Sequence, residues 1–241
     1  MTERTRLGVW AVLGEPRTAA ALEHAGFDWV VLDAQHGHFD DRAVRETLTL
    51  RREHRVPLLV RTRANDAGLI GRALDAGADG VVVPLVQSAA EAEAAVAAAN
   101  YPPRGIRSWG PLPGLERADS PTGGPPAPFV AVMVETAQGL ADVEAIARTP
   151  GLGLVFVGPF DLSLSLGTTV DGLLGDDASA LQRILAACEA AGVAAGAFGA
   201  SVPRARRFIE LGFTWVIAAL DTGVLDAGGG RIADEVRAAD G

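Results

Sequence analysis

Two carboxylates in this chain of 241 residues stand where apolar runs end. Glu135 follows the run 129–134, and Asp161 follows the run 154–157 after Gly158, Pro159 and Phe160. A carboxylate beside a buried strand is costly to desolvate unless it is paired or bound to a cation. Two such groups without His or Cys companions suit a hard divalent ion such as Mg2+ or Mn2+. Each also has a simpler assignment. Asp161 can cap the helix that starts at Leu162, and Glu135 can pair with an arginine.

The segment Asp33-Ala34-Gln35-His36-Gly37-His38 follows another apolar run. A histidine near a carboxylate can be held in one tautomer and act as a base near neutral pH. His36 beside Asp33 fits that description, and a loop histidine bonded to backbone or water fits it too. His24 and His38 read as structural or exposed. Arg61 ends the run Leu58-Leu59-Val60, and a buried guanidinium needs an anion. That anion is a substrate oxygen or a protein carboxylate, for which Asp75 is the candidate. The candidate catalytic set is therefore Asp33, His36, Arg61 and Asp75.

Composition removes several chemistries. All 21 basic residues are arginine, so no lysine is present. Schiff-base aldolases, pyridoxal-phosphate enzymes and P-loop kinases all need a lysine amine. Carbonyl chemistry on this chain would rest on a metal ion or a hydrogen-bond cradle. The net charge of −9 argues against a nucleic-acid partner. A single cysteine, Cys188, allows neither an internal disulfide nor a multi-cysteine zinc site. No signal-peptide run and no stretch of about 20 apolar residues is present, so no membrane partner and a cytoplasmic location are expected.

These residues must be positioned by the elements around them. Short runs rich in Val, Ile and Leu occur at 7–13, 29–32, 57–61, 80–84, 129–135, 154–157, 193–198 and 215–220. Amphipathic patterns occupy 18–25, 41–54, 67–77, 88–100, 139–148, 178–191 and 202–211. Several of these end in Gly just past the last turn, a helix stop. Eight such strands alternating with helices over this length predict a single-domain (β/α)8 barrel spanning 1–241. The alternative, an open doubly wound sheet, lacks a Gly-x-Gly-x-x-Gly signal after the first strand. In a barrel the strand ends share one mouth, which gathers Asp33, His36, Arg61, Glu135 and Asp161. Strand alternation sends Met133 to the same side as Glu135. The Pro- and Gly-rich stretch 101–128 reads as a loop at the active site or at an interface.

Seven segments in order carry a resemblance. They are Leu32-Asp33-Ala34-Gln35-His36-Gly37, Val60-Arg61-Thr62-Arg63-Ala64-Asn65-Asp66, Leu74-Asp75-Ala76-Gly77-Ala78, Val83-Pro84-Leu85-Val86, Tyr101-Pro102-Pro103-Arg104-Gly105-Ile106-Arg107, Val134-Glu135-Thr136 and Val157-Gly158-Pro159-Phe160-Asp161-Leu162-Ser163. From residue 7 to residue 221 the chain resembles the HpcH/HpaI aldolase and citrate lyase family of metal-dependent pyruvate aldolases. The resemblance implies a homo-oligomeric barrel, dimer-based and commonly hexameric, with the last helix exchanged between protomers. It implies reversible cleavage of a 4-hydroxy-2-oxo acid to pyruvate and an aldehyde. It assigns Glu135 and Asp161 to a divalent metal (Mg2+, Mn2+ or Co2+), Arg61 to the keto oxygen, and His36 with Asp33 to an acid–base dyad. The turn Gly158, Pro159, Phe160 and Asp161 would offer backbone N–H groups to the pyruvate carboxylate.

The chain departs from the family pattern at two substrate-binding positions. Gln35 stands where Glu is usual, and Met133 where Gln is usual. The segment between Arg107 and Phe129 is also shorter. These departures leave open a bulkier or less polar acceptor, a decarboxylation or a synthase-type condensation. Two other readings compete. An acyl-CoA lyase would hold its phosphates with Arg104, Arg107 and Arg117. A non-catalytic oxo-acid-binding barrel would have no physical need for this set of buried charges. Arg61→Ala and Glu135→Ala are expected to remove turnover with the fold intact. The run Ala227-Gly228-Gly229-Gly230 reads as a hinge or linker before a final helix over 231–239.

Overall fold

The computed structural model describes residues 4–51, 55–110, 127–175 and 178–239. Eight parallel strands close in sequence order: β1 (Arg6–Ala11), β2 (Trp29–Asp33), β3 (Leu58–Arg61), β4 (Gly80–Val83), β5 (Phe129–Val134), β6 (Leu154–Val157), β7 (Ala194–Phe198) and β8 (Trp215–Leu220). The predicted (β/α)8 barrel is the architecture observed. The ring closes where β1 pairs with β8, with one register shift between Gly8 and Val9.

Strand alternation divides the apolar residues into two sets. Val9, Val30, Leu32, Val60, Val81, Val132 and Val155 point outward into the layer shared with the helices. Trp10, Trp29, Val31, Leu59, Met133, Phe156 and Trp215 point inward and fill the barrel. Rings this large need small neighbours. A Cβ on Gly8 would lie 2.4 Å from the Trp29 ring, so the interior is filled by pairing a ring with a hydrogen.

The helices follow from their caps. Asp40, Asp66, Ser88 and Thr136 each accept from the N–H three residues on, starting α2 (Asp41–Leu50), α3 (Ala67–Asp75), α4 (Ala89–Ala99) and α5 (Ala137–Ala141). The remaining helices are α1 (Pro16–Ala21), α6 (Val143–Ala147), α7 (Pro159–Ser165), α8 (Val170–Leu173), α9 (Ser179–Ala191), α10 (Val202–Leu211) and α11 (Asp221–Ala239). The helix expected over 139–148 is two short helices broken at Asp142. The last three residues of the pattern 41–54 lie outside the described residues, as do 111–126 of the Pro-rich stretch.

One element differs plainly from expectation. Residues 227–230 form no hinge, because α11 runs unbroken from Asp221 through the three glycines. Each helical glycine costs about 1 kcal/mol relative to alanine, which weakens a helix without forbidding it. Leu225, Ile232 and Val236 on this helix are exposed.

A buried charge cluster ties the helices to the barrel. Arg51, fully buried, donates from Nε to the Glu23 carboxylate, from Nη1 to Asp79 at 2.7 Å and from Nη2 to the Val56 carbonyl at 2.7 Å. Removing one member of a buried ion pair leaves an uncompensated charge and typically costs about 3–5 kcal/mol. Arg51→Met is therefore expected to lower unfolding free energy by about that amount in urea titrations. A loss under about 1 kcal/mol would mean that the cluster contributes little.

Candidate active site at the barrel mouth

Asp33, Arg61 and Glu135 continue the inward-facing parity of Val31, Leu59 and Met133, so each enters the barrel mouth from the end of its strand. β2 and β3 pair with Asp33 directly beside Arg61. That register makes a two-point contact. Arg61 donates from Nε to Asp33 Oδ1 at 2.9 Å and from Nη2 to Oδ2 at 2.6 Å. Asp33 Oδ1 also accepts from the backbone N–H groups of Gln35 and His36, at 3.0 and 3.2 Å. Burial alone would raise the Asp33 pKa. The hydrogen bonds and charge of Arg61, with the two N–H groups, more than offset it and hold the carboxyl below its ordinary range.

The arrangement corrects three expectations. The partner of Arg61 is Asp33, not Asp75. Asp75 instead accepts from Arg107 at 2.7 Å and lies outside the mouth. Among the described residues Asp33 and His36 share no direct side-chain hydrogen bond, and the oxygens of Asp33 accept instead from Arg61 and from backbone N–H groups. Arg61→Ala is also no neutral probe of catalysis, since it would leave Asp33 buried without its counter-charge, a loss of about 3–5 kcal/mol.

Glu135 is 2% exposed. Its Oε1 accepts from the backbone N–H of Leu85 at 2.7 Å. Leu85 achieves this with φ at +55°, a left-handed conformation that a non-glycine residue rarely adopts. The other oxygen lies against Gly158, where an added Cβ would sit 2.4 Å from Oε2. Burial pushes the Glu135 carboxyl above its ordinary range. The Leu85 N–H opposes this, the charge of Asp161 adds to it, and Arg61 moderates it. The pairing of Glu135 with an arginine is thus a through-space effect, not a salt bridge among the described residues.

Asp161 does not cap its helix. Gly158 is the N-cap and Pro159 the first residue of α7, which places Asp161 in the first turn, exposed. A proline at the first helical position is a common start, and that signal could have revealed α7 from sequence. Glu135 and Asp161 share an open cavity with His36, Arg61, Met133, Gly158, Pro159, Phe160, Trp10 and Phe198. The inward direction expected of Met133 is observed. Gln35 is not among the cavity's lining; its amide oxygen is buried without a hydrogen-bond partner among the described residues. Trp10 and Phe198 went unnoticed in the sequence, although each ends an inward-facing series at the same mouth. The role of Leu85 had no side-chain signal, because its backbone makes the contact.

Among the described residues, no cluster of three or more His, Cys, Asp or Glu side chains is poised around a metal position. Two carboxylates are nevertheless a sufficient protein contribution for a hard cation that takes its other oxygens from water and substrate. Glu135 fits such an ion, since a cation would relieve both its burial and its repulsion from Asp161. Arg107, one of three arginines considered for a CoA site, is engaged by Asp75 and stacks over Tyr101; Arg117 lies outside the described residues. Cys188 is buried, which pushes its thiol up to about 12 and leaves it no nucleophilic role. No helix among the described residues is long and apolar enough to cross a membrane.

The sign of the Glu135 shift has a consequence for stability. The folded protein holds this proton more tightly than the unfolded chain does. The stability so gained is present below the ordinary carboxylate range and is lost as pH rises through the folded pKa. In chelator, Glu135→Gln should therefore be more stable than the parent at about pH 8, with the gap closing toward about pH 4. Urea titrations across that range check it, and a parent more stable than the variant at the upper end would contradict it.

The chain is similar throughout its length to proteins of known type. The family model described as HpcH/HpaI aldolase/citrate lyase matches residues 6–226. A hydroxypyruvate/pyruvate aldolase of Paraburkholderia phytofirmans is 36% identical over 227 residues, covering 89% of this chain and 86% of the relative. A 4-hydroxy-2-oxo-heptane-1,7-dioate aldolase of Salmonella paratyphi C is 33% identical, covering 95% and 89%. The crystal structure of an HpcH/HpaI aldolase/citrate lyase family protein from Burkholderia cenocepacia superposes with a TM-score of 0.87 at 34% identity, covering 97% and 95%. With the barrel, the mouth and these likenesses in agreement, the chain belongs to the HpcH/HpaI aldolase/citrate lyase family.

Proposed function

We propose that this aldolase is a divalent-metal-dependent lyase that cleaves or forms 4-hydroxy-2-oxo acids through the enolate of pyruvate. The observation that carries the reading is Glu135. It is a buried carboxylate whose charge is disfavoured by burial and by Asp161, in the cavity that also holds Arg61. Glu135 and Asp161 would hold the cation, which would supply Lewis-acid polarisation of the 2-oxo oxygen.

The chain's own groups do the rest. Asp33 occupies Nε and Nη2 of Arg61, which fixes the guanidinium plane and leaves Nη1 to donate to the oxygen where enolate charge develops. A preorganised donor of this kind is worth about 3 kcal/mol of barrier. Leu85 and Gly158 hold the Glu135 carboxylate in place. The N–H groups of Phe160 and Asp161, in the first turn of α7, have no partner within the helix and suit a substrate carboxylate. His36, exposed at the cavity, accepts the proton of the C4 hydroxyl as the C3–C4 bond breaks. Its ring acts without Asp33, which is committed to Arg61. Asp75, committed to Arg107, has no role in this mouth.

Oxaloacetate decarboxylation tests the enolate half of the site without choosing an aldehyde. Pyruvate release should stop in EDTA and return with Mg2+, Mn2+ or Co2+. Arg61→Lys, which retains a counter-charge for Asp33, should lower kcat by about 100-fold with little change in unfolding midpoint. Release that persists in EDTA, or a variant with parental kcat, would reject the mechanism.

The exposed Leu225, Ile232 and Val236 on α11 support a second proposal, a homo-oligomer in which this face packs on another copy of the chain. Sedimentation should give a multiple of the 24.9 kDa chain mass. Ile232→Glu with Val236→Glu should shift it toward the monomer, and a monomeric parent would refute the proposal.

A further inference from the structure

The cavity at the mouth is lined by four polar side chains and by a run of rings, and the two sets meet where Arg61 lies over Trp10 at 5.0 Å. Its polar side chains are His36 in the turn after β2, Arg61 at the end of β3, Glu135 just past β5 and Asp161 in the first turn of α7. The other lining side chains that carry bulk are Trp10, Met133, Phe160 and Phe198. Three of them form a chain of ring contacts. Trp10 meets the edge of Phe198 at 5.1 Å between centroids, and Phe198 meets Phe160 at 6.2 Å. Leu220, Val12 and Phe198 pack against the barrel-interior cluster that contains Trp10. Phe160 itself is 42% exposed, an apolar surface left open at the rim.

From this asymmetry we infer that the preferred acceptor is an aldehyde with an alkyl or aryl substituent, not a hydroxylated or carboxylated one. The inference rests on the pyruvate-enolate reading above. The oxo acid and its enolate occupy the charged side, where their oxygens find a cation site, Arg61 and backbone donors. The enolate C3 attacks the aldehyde carbon, the C3–C4 bond forms, and the carbonyl electron pair moves to oxygen, which takes a proton. The aldehyde oxygen thus also belongs to the polar side. What remains to be placed is the aldehyde's substituent, and the wall it meets is Trp10, Phe198 and Phe160. A hydroxyl or carboxylate set against these groups exchanges water for no partner, whereas an alkyl chain or a ring buries apolar surface. Arg204 is an alternative partner for an anionic substituent. It lies over Phe160 at 5.4 Å and is 3.8 Å from Asp171, outside the cavity's lining.

The test separates the two readings. Deuterium exchange at C3 of pyruvate, with Mg2+ and no aldehyde, reports the enolate alone. Initial rates of addition are then compared for propanal against glycolaldehyde, and for 4-methylpentanal against succinic semialdehyde, pairs matched in size. We expect exchange, and a kcat/KM at least about tenfold higher for the apolar member of each pair. Phe198→Asn should move both ratios toward one, chiefly through KM for the apolar aldehydes. Should that variant fail to fold, the parental ratios decide alone. Exchange accompanied by preference for glycolaldehyde or succinic semialdehyde would overturn this inference and leave the enolate reading standing. Absence of exchange would overturn both.

Discussion

The two-point contact between Asp33 and Arg61 is the constraint around which the mouth of this barrel is arranged. Both groups are buried, and neither is tolerable there alone. The register of β2 against β3 sets them side by side, so the pair costs no distortion of either strand. Once made, it fixes the plane of a guanidinium that also stacks over Trp10 at 5.0 Å. It also pins the turn after β2, because the same carboxylate accepts the N–H groups of Gln35 and His36. One ion pair thereby sets the position of a donor, a loop and a histidine.

Glu135 shows the opposite use of burial. Asp33 is stabilised as an anion by its surroundings, while Glu135 is destabilised as one. Two carboxylates at one mouth, pushed in opposite directions, acquire different work. The destabilised group is held at its oxygens by Leu85 in a left-handed backbone conformation and by the missing side chain of Gly158. Strain of that kind persists where the surrounding structure over-determines it. Here the surroundings are the ends of β4, β5 and β6.

The barrel beneath this mouth is an unusually aromatic plug. Trp10, Trp29, Phe156, Trp215 and Phe129 run in ring contact through it. Its upper surface at Trp10, extended by Phe198 and Phe160, is the floor and one wall of the cavity. The same packing that stabilises the interior therefore also shapes the cavity. Core packing and the shape of the cavity are coupled in this protein through Trp10.

Much of this was legible in the residues themselves. Eight apolar runs alternating with capped amphipathic patterns announced the barrel, and period-two alternation gave the inward direction of Met133 and Glu135. The absence of lysine confined the chemistry. What the residues could not announce was pairing across strands. Asp75 was the candidate partner for Arg61, and only the β2–β3 register showed that Asp33 lies within reach of it while Asp75 is left to Arg107. The contribution of Leu85 was invisible because a backbone N–H has no sequence signature. The three consecutive glycines of α11, Gly228, Gly229 and Gly230, read as a hinge or linker because local propensity is a weak prior, overridden by the helix on either side. Periodicity is a property of the chain and can be read along it. Which buried charge neutralises which is a property of distances between distant segments, and these exist only once the barrel has closed.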